Sequence, residues 1–478
     1  MAALIALDAG TTSSKAAAWR LDGRLLANHS LRTPYTADAG RVTRRLDVTW
    51  SAFCTVIRQT VDAVHAAGEE VVAVGLTGHG NGLHLWNGCH FAPEAIGSAD
   101  MRASQWLETY PQRRELEQRL SQRLYPGQTY VLLHVLASTD LPLFSKDWLG
   151  YQLCGEVATD FTDVAAGALC DLYGTPTVAN LPPLLPSPAV RGYVTKQAAK
   201  ETGLPAGIPV AVGCIDLAAA VLGCGCVQKF DRLAICGSWL IDLMLVPADV
   251  PLVVEPPVNL LPYVFPEFRL ASAYTPHGTL ALERLLQLRN IPASYQAIDT
   301  AVQQVMDTPP ERFYHPEASM NENEMATAAV PDLLYMAFEG IAATHRLNLE
   351  ALATAASASF CKHRPATTTG NPAGDNRPLA VTGGLSASAV WRQLLADLMG
   401  EPVESQGMEA TCRGAAICAA LAAKCFPTAE EAIHTLACPG LLVQPDQRRV
   451  PTMEARYQRW LAARPPGTAA TSGTLHNG

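Results

Sequence analysis

The sequence predicts an α/β protein built from two related halves. Strand-like and helix-like segments alternate along its 478 residues, which is typical of sheets covered by helices. A strand, a turn with glycine and hydroxyl residues and a second strand run from Leu4 to Trp19 (LIALDAGTTSSKAAAW) and again from Leu233 to Val246 (LAICGSWLIDLMLV). This similarity favours a duplicated domain, and two unrelated hairpins are the alternative.

Composition and charge narrow the class of protein. Hydrophobic residues make up 49% of the chain and charged residues 17%, so it can bury a large core. The apolar runs are too short to span a bilayer and no segment resembles a secretory signal, so we expect a cytoplasmic protein with no membrane partner. A net charge of -9 without a long basic run argues against nucleic-acid binding.

The first turn, from Asp8 to Lys15 (DAGTTSSK), carries groups that suit a metal-bound phosphate. Asp8 ends a buried strand, where a carboxylate is costly unless something pairs with it. The following residues supply a flexible glycine, four hydroxyl groups and the cation of Lys15. The segment lacks the spacing of a Walker A loop and continues as a strand. A plain hairpin with a polar turn is the alternative.

Two further segments place polar side chains at the ends of predicted strands. Asp216 follows a strand and opens an alanine-rich helix, so it is either a helix cap or a general base for a substrate hydroxyl. The segment TGHGNG combines three glycines with His79 and Asn81, which can both donate and accept hydrogen bonds, as a sugar requires. A glycine-rich turn with solvated side chains is the alternative for the second segment.

A strand, a glycine pair and an amphipathic helix follow one another from Leu379 to Gly400. The apolar residues of the helix recur at i, i+3, i+4 and i+7, as Trp391, Leu394, Leu395 and Leu398. The helix therefore packs on a core with its N-terminus near Gly383 and Gly384. Such an N-terminus can receive an anion or the ribose of a nucleotide, although a glycine pair alone is a weak signal.

Together these segments resemble the FGGY carbohydrate kinases, a family grouped with hexokinase and actin as two-lobed ATPases. The resemblance is collinear over nearly the whole chain, and several ordered motifs are more specific than any one of them. Within the family, the sequences of these motifs are most similar to those of the L-xylulose/3-keto-L-gulonate kinases. The matching segments are LDAGTTSSKA, GLTGHGNGLHLW, SKDWLGYQLCGEVATDFTDVAAG, GIPVAVGCIDLAAAVLGCG, CGSW, AFEGIAATHRL, VTGGLSASAVWRQLLADLMGEPV and ATCRGAAICAAL.

The resemblance implies two lobes of ribonuclease H-like fold with a cleft between them. Residues 1–230 would form the N-terminal FGGY lobe, with the sugar site and first phosphate turn. Residues 231–464 would form the nucleotide-binding C-terminal lobe, and 465–478 a flexible tail. The implied activity is ATP-dependent phosphorylation of a ketopentose or a related sugar acid or polyol, with an L-xylulose-like substrate favoured and Mg²⁺ required. A catalytically inactive sugar- or nucleotide-binding protein is the alternative, and a homodimer is considered for either function.

The family's functional positions carry over residue by residue. Asp8 would hold the magnesium ion, and Asp216 matches the catalytic base. The residues that would meet the transferred phosphate are Thr11, Thr12, Lys15, Gly237 and Ser238. Those that would line the adenosine site are Gly383, Gly384 and Ser388. Those that would bind the sugar are His79, Gly80, Asn81, Asp100, Arg102 and Asp216.

Two segments depart from the family pattern. The stretch from Arg312 to Val330 is short and contains no glycine, where relatives usually have a glycine-rich hairpin that helps to cover the adenine. This departure favours the inactive alternative. The second departure is Gly237-Ser238-Trp239, where many relatives have Gly-Thr followed by a smaller residue, but a hydroxyl is retained. The presence of both Asp8 and Asp216 favours the enzyme, because a mere scaffold needs neither carboxylate.

Overall fold

The computed structural model describes residues 2–250, 252, 254–276, 278–316, 326–360, 377–437 and 439–465. Within it the chain divides into two compact units. Unit 1 comprises Met1–Gly225, Leu260–Phe268 and Glu409–Cys438, and unit 2 comprises Cys226–Asn259, Arg269–Met408 and Pro439–Gly478. Apart from Pro465, the predicted flexible tail lies outside the described residues. Among the helices of the described part, none is both long and apolar enough to cross a membrane.

Strands and helices alternate in both units, which confirms the predicted α/β class. The strands are β1 (Ala2–Ala9), β2 (Ser13–Arg20), β3 (Leu25–Arg32), β4 (Thr36–Asp38), β5 (Arg41–Arg45), β6 (Glu70–Gly78), β7 (His84–Trp86), β8 (Glu94–Ile96), β9 (Leu141–Leu143), β10 (Val190–Tyr193), β11 (Pro209–Ala211), β12 (Cys214–Ile215), β13 (Arg232–Cys236), β14 (Leu240–Pro247), β15 (Asn259–Pro262), β16 (Phe268–Thr275), β17 (Leu379–Thr382), β18 (Val403–Ser405) and β19 (Leu441–Val443). The helices are α1 (Leu46–Ala66), α2 (Ser104–Thr109), α3 (Arg113–Leu120), α4 (Thr129–Leu136), α5 (Ser145–Cys154), α6 (Phe161–Ala166), α7 (Lys196–Thr202), α8 (Asp216–Gly223), α9 (Leu280–Leu288), α10 (Tyr295–Gln303), α11 (Val330–Phe360), α12 (Ala389–Met399), α13 (Ala410–Ala422), α14 (Ala429–Leu436) and α15 (Val450–Ala462).

The main sheet of unit 1 has the order β10-β11-β6-β1-β2-β3, with β12 also paired to β6. Strands β1 and β2 form an antiparallel hairpin around the first turn, while β6 runs parallel to β1 and β12 runs parallel to β6. The apolar run of β1 is buried along nearly its whole length, as expected for a central strand. The carboxyl ends of β1, β6 and β12 therefore meet at one edge of the sheet, just before the three polar segments singled out in the sequence.

The sheet of unit 2 repeats this arrangement. Its hairpin is β13 and β14, which pair antiparallel on either side of Gly237 and Ser238. Strand β17 runs parallel to β13, with Thr382 opposite Ile235. The glycine pair after β17 and the turn after β13 therefore lie at the same edge of this sheet. The similarity of Leu4–Trp19 and Leu233–Val246 in sequence thus extends to their topology.

Helix α13, from the C-terminal part of the chain, packs within unit 1 so closely that its backbone touches the backbones of β6 and α8. A Cβ atom added to Gly75 of β6 would lie 1.9 Å from the carbonyl oxygen of Ala415. One added to Gly414 would lie 1.9 Å from the carbonyl oxygen of Ala219 in α8. The helix sequence ATCRGAAICAALA consists mainly of small residues, which allows this close approach without voids.

We expect Gly414→Ala to lower the free energy of unfolding by about 1 to 3 kcal/mol, because the added methyl group forces apart two packed helices. Urea unfolding followed by circular dichroism measures the change. The control is Ala422→Ser at the half-buried end of the same helix, for which we expect a change within about 0.5 kcal/mol. Equal stability of the Gly414→Ala variant and the wild type would contradict the close packing of α13.

Candidate active site

The first turn presents a buried carboxylate beside exposed hydroxyl residues. The Asp8 side chain at the end of β1 lies opposite Lys15 of β2, with 3.9 Å between Oδ2 and Nζ. Burial raises the pKa of Asp8 to about 6, an increase that Lys15 opposes and the nearby Glu409 reinforces. Thr11 and Thr12 are exposed on the turn. The turn thus combines a carboxylate, a cation and accessible hydroxyl residues, as the sequence predicts.

Asp216 begins α8 directly after β12. The N-cap of this helix is Ile215, and the Asp216 carboxylate accepts a hydrogen bond of 2.8 Å from the Leu217 N–H. Burial, and then the negative charge of Asp8, raise the pKa of Asp216 to about 7, while the Leu217 hydrogen bond and Lys15 oppose the rise. The side chain itself is half-buried and so retains access from outside. A carboxyl group with this pKa can exchange a proton near neutral pH.

The strand register brings Asp8, Lys15 and Asp216 to one edge of the unit 1 sheet: Asp8 lies opposite both Lys15 and Thr77, and Cys214, two residues before Asp216, lies on the other side of Thr77. The described residues contain no group of three or more His, Cys, Asp or Glu side chains that could hold a metal ion by themselves. Magnesium is usually held by one or two carboxylates together with substrate phosphates and water. The buried carboxylate of Asp8, with one lysine as its ion-pair partner, fits such a shared site.

A buried chain of hydrogen bonds holds the backbone next to Asp216. The Thr162 hydroxyl at the start of α6 accepts a hydrogen bond of 3.0 Å from the Ile215 N–H and donates one of 2.6 Å to Asp160 Oδ2. The other oxygen of Asp160 lies 3.1 Å from Lys146 Nζ. Lys146 also lies 2.7 Å from Asp147 and 3.1 Å from Asp163, and all four charged side chains are fully buried.

Ser145, next to Lys146, joins the ends of β1 and β6. Its hydroxyl lies 3.2 Å from the Ala9 carbonyl oxygen and 3.0 Å from the His79 carbonyl oxygen, and its single proton is shared between these two acceptors. No role is predicted from the sequence for Ser145 or for Lys146 and its three aspartates, although all of them belong to a matching motif. The charged residues of this mostly apolar segment were the signal that could have indicated the cluster, because a buried charge must be paired.

The turn after β6 places its glycine directly against the strand that precedes Asp216. A Cβ on Gly80 would lie 2.2 Å from Ile215 Cδ1, so any larger residue there would have to displace the Ile215 side chain. Asn81 adopts a left-handed backbone with φ of 67°, and its Oδ1 lies 3.5 Å from the Thr129 N–H. His79 is buried and its Nε2 lies 3.0 Å from the Tyr35 hydroxyl. His79, Gly80 and Asn81 thus lie beside the Asp216 segment.

Asp100 and Arg102 form an ion pair with each other. The guanidinium of Arg102 donates from Nε and Nη2 to the two carboxylate oxygens of Asp100, at 2.7 and 2.8 Å. Asp100 also accepts hydrogen bonds from the backbone N–H groups of Val42 and Arg102 and is fully buried. Its observed contacts therefore hold the loop against β5. The predicted contact of these two residues with the sugar stays a prediction.

In unit 2, the turn after β13 and the glycine pair after β17 lie against each other. Gly383 has a φ of 96°, and a Cβ on it would lie 2.6 Å from the carbonyl oxygen of Cys236. The carbonyl oxygens of Gly237 and Ser238 accept hydrogen bonds from Thr279 and Gly278, respectively. The Ser238 residue is exposed. The structure thus brings Gly237, Ser238, Gly383 and Gly384 to one edge of the sheet.

Ser388 behaves differently from the other predicted nucleotide contacts, because it caps α12. Its hydroxyl accepts a hydrogen bond of 3.0 Å from the Trp391 N–H and donates one to Asp299 of α10. Asp299 also accepts a hydrogen bond of 3.0 Å from the Ala389 N–H, so an internal carboxylate takes the anion position at this helix N-terminus. Ser388 is fully buried, and a nucleotide contact by this residue stays a prediction.

The stretch from Arg312 to Val330, predicted to alter adenine binding, is described only in part, because residues 317–325 lie outside the described residues. Before that gap, Tyr314 is buried and its carbonyl oxygen accepts a hydrogen bond of 2.9 Å from Trp460 of α15. The described portion therefore packs on the C-terminal helix of unit 2.

The chain is similar to known proteins over most of its length. The models of the N-terminal and C-terminal domains of the FGGY family of carbohydrate kinases match residues 3–223 and 268–423. A probable L-xylulose kinase from Pasteurella multocida (strain Pm70) is 25% identical over 95% of this chain and 97% of its own. The L-xylulose/3-keto-L-gulonate kinase of Escherichia coli (strain K12) is 25% identical over 95% of each chain.

Among solved structures, a xylulose kinase from Brucella ovis superposes with a TM-score of 0.80 at 20% identity, covering 96% of this chain and 98% of that one. This likeness establishes the two-domain α/β kinase fold, which confirms the fold expected from the sequence. 

We expect Thr162→Val to lower the free energy of unfolding by about 1 to 3 kcal/mol, because it leaves the buried Ile215 N–H without an acceptor. Thr162→Ser retains the hydroxyl and restores most of the stability. The control Thr55→Val alters an exposed threonine of α1, whose hydroxyl donates to Ser51 within its own helix. Chemical denaturation measures all three variants. Equal stability of Thr162→Val and Thr55→Val would contradict the proposed support of the Asp216 segment.

Proposed function

The chain belongs to the FGGY family of carbohydrate kinases, and on that premise we propose that it phosphorylates a ketopentose or a related sugar acid or polyol. The family makes it a sugar kinase, a phosphotransferase that uses ATP and has an alcohol group as acceptor. Relatives named as L-xylulose kinases support an L-xylulose-like substrate. We do not retain the inactive binding protein as an alternative, because family membership and the paired carboxyl groups both favour catalysis.

The observation that carries the proposed mechanism is the position of Asp8 and Asp216 at one sheet edge of unit 1, after strands that both pair with β6. Asp216 would accept the proton of the substrate hydroxyl as it attacks the phosphoryl group. A general base works best when its pKa lies near the working pH, and the pKa of about 7 at Asp216 meets that condition. Asp8, more deeply buried and paired with Lys15, would remain the metal-binding carboxylate.

The candidate residues for phosphate and nucleotide binding come from both units. We assign phosphate binding to Thr11, Thr12 and Lys15 of the first turn and to Gly237 and Ser238 of the second. Magnesium, when held by Asp8 and the phosphates of ATP, supplies charge neutralisation for phosphoryl transfer. Gly383 and Gly384 would approach the adenosine closely, because glycine allows near contact with the backbone.

The sugar would lie against the turn formed by His79, Gly80 and Asn81. This assignment is supported by the contact of Gly80 with Ile215, the residue before the proposed base. Residues 1–230 would then bind the sugar and contain the first phosphate turn, and residues 231–464 would bind the nucleotide. A coupled ADP-release assay over a panel of ketoses, polyols and sugar acids tests the proposed activity. The absence of sugar-dependent ADP release across the panel would contradict the substrate range.

We expect Asp216→Asn to lower kcat by about a hundredfold or more, because the amide keeps the shape of the side chain but cannot accept a proton. In the wild type the base must be ionised, so kcat falls as the pH drops below about 7, the pKa of Asp216. The coupled assay, run across this pH range, should show that limb in the wild type and not in the variant. Retention of most of the activity would contradict the assignment.

We expect Asp8→Asn to lower kcat by at least about tenfold and to raise the Mg²⁺ concentration needed for half-maximal activity. Sugar binding measured by calorimetry should change little, because the proposed role of Asp8 is to hold the metal. Asp22→Asn, which alters an exposed carboxylate in the β2–β3 turn, is the control. A loss of sugar affinity with unchanged Mg²⁺ dependence would contradict this role.

A further inference from the structure

A buried group of side chains in unit 1, here called the Arg44 cluster, is not explained by the site above. It consists of Tyr35, Arg44, His79 and His84. The Tyr35 hydroxyl lies 3.0 Å from His79 Nε2, and the Arg44 guanidinium carbon lies 4.3 Å from the centre of the Tyr35 ring. The rings of His79 and His84 are 6.3 Å apart. The cluster therefore extends from β5 to the turn that we propose as the sugar site.

Arg44 is a buried cation without an acidic partner among the described residues. Only 6% of the residue is exposed. Its Nη1 donates to the carbonyl oxygens of Gly10 and Thr33, at 3.0 and 2.9 Å, while its buried Nε has no hydrogen-bond partner. By contrast, the buried Arg232 and Arg456 each form an ion pair with a glutamate. Two carbonyl oxygens and the Tyr35 ring face the Arg44 charge, but no carboxylate of the described residues does, so the guanidinium can still pair with an anion.

The two histidines leave further hydrogen-bonding capacity unused. His79 Nδ1 and both ring nitrogens of His84 are buried without a hydrogen-bond partner in the described structure. Burial, with the nearby Arg44 charge, lowers the pKa of His79 to about 3. Burial, then His79 and Arg44, lower the pKa of His84 well below its usual value, so both rings are neutral at pH 7. The positive charge of the cluster therefore resides on Arg44, and the imidazoles offer neutral donors and acceptors around it.

We propose that the Arg44 cluster binds a carboxylate carried by the sugar, and that the enzyme prefers sugar acids to the corresponding neutral sugars. The inference rests on the proposed function, because it places the sugar at the His79 turn. The Arg44 guanidinium matches a carboxylate in shape and charge. Arg44 lies between the two candidate sources of an anion, because it donates to Gly10 of the first phosphate turn and stacks on Tyr35, which contacts His79. The phosphate turn already has the cation of Lys15, so we assign the anion to the sugar.

The wild-type enzyme provides the first test, with pairs of compounds that differ only in a carboxylate replacing a hydroxymethyl group. Suitable pairs are 2-keto-L-gulonate with L-sorbose, 2-keto-D-gluconate with D-fructose, and D-xylonate with xylitol. In each pair that reacts, we expect a kcat/KM at least about tenfold higher for the acid, the scale of one hydrogen bond to a charged group. Equal or better use of the neutral members would overturn the proposal.

The second test compares Arg44→Gln with Arg45→Gln, which removes an exposed arginine next to it on β5. We expect Arg44→Gln to lower kcat/KM for the acids by about tenfold to a hundredfold and to change it for neutral sugars within about threefold. The KM for ATP should stay constant, and Arg45→Gln should behave as the wild type. An equal loss for acids and neutral sugars would assign Arg44 a structural role, and a raised KM for ATP would assign it to the nucleotide. Either result overturns the proposal.

Thermal unfolding of Arg44→Gln shows whether the variant folds, and the wild-type comparison decides the question if it does not. If no compound supports ADP release, calorimetry without nucleotide tests the carboxylate site separately from the proposed kinase substrate range. Binding of 2-keto-L-gulonate but not L-sorbose by the wild type would uphold the carboxylate site and contradict the kinase substrate range. No preference for the acid in that measurement would overturn the carboxylate site as well.

Discussion

The pairing of Lys146 with three buried aspartates is the interaction on which the candidate site of unit 1 depends. Asp160 connects the lysine to Thr162 and so to the backbone before Asp216. The neighbouring Ser145 joins the ends of β1 and β6. Because breaking a buried ion pair leaves a charge without a partner, at a cost of about 3 to 5 kcal/mol, the three turns cannot shift independently. The cluster thus maintains the spacing that phosphoryl transfer requires of its reacting groups.

Unit 2 supports its own turn with a smaller buried pair. His345 of α11 lies 2.8 Å from Asp242 of β14, and Asn348 donates a hydrogen bond of 2.9 Å to the other oxygen of that carboxylate. The interaction with Asp242 raises the pKa of His345 to about 10, against the effect of burial, so the histidine is charged at neutral pH. In both units, then, a buried salt bridge ties a helix to the structure beside a glycine-containing turn.

The local features of the fold could be predicted from the sequence, and the long-range contacts could not. Glycine and hydroxyl residues between apolar strands predict the turns at Asp8 and Gly237, because turn chemistry is set by neighbouring residues. The Asp299 contact that occupies the N-terminus of α12 joins residues about ninety positions apart, and nothing in either segment indicates the other. The hydrogen bond from the Ile215 N–H to Thr162 could not be predicted for the same reason, although the sequence shows Asp160 and Asp163 on either side of Thr162.

The return of α13 to unit 1 has a consequence for folding during synthesis. Ala219 of α8 precedes its contact Gly414 by 195 residues, and Gly75 of β6 precedes its contact Ala415 by 340 residues, so both leave the ribosome long before this helix. Until α13 is made, nothing covers Gly75 and Ala219 on the side where this helix packs in the finished protein. The apolar surface around them therefore stays exposed to water or to a chaperone. A fragment that stops at the end of α8 would carry the same open surface permanently. The amino-terminal half of the chain therefore becomes a complete folding unit only after most of the carboxyl-terminal half has been made.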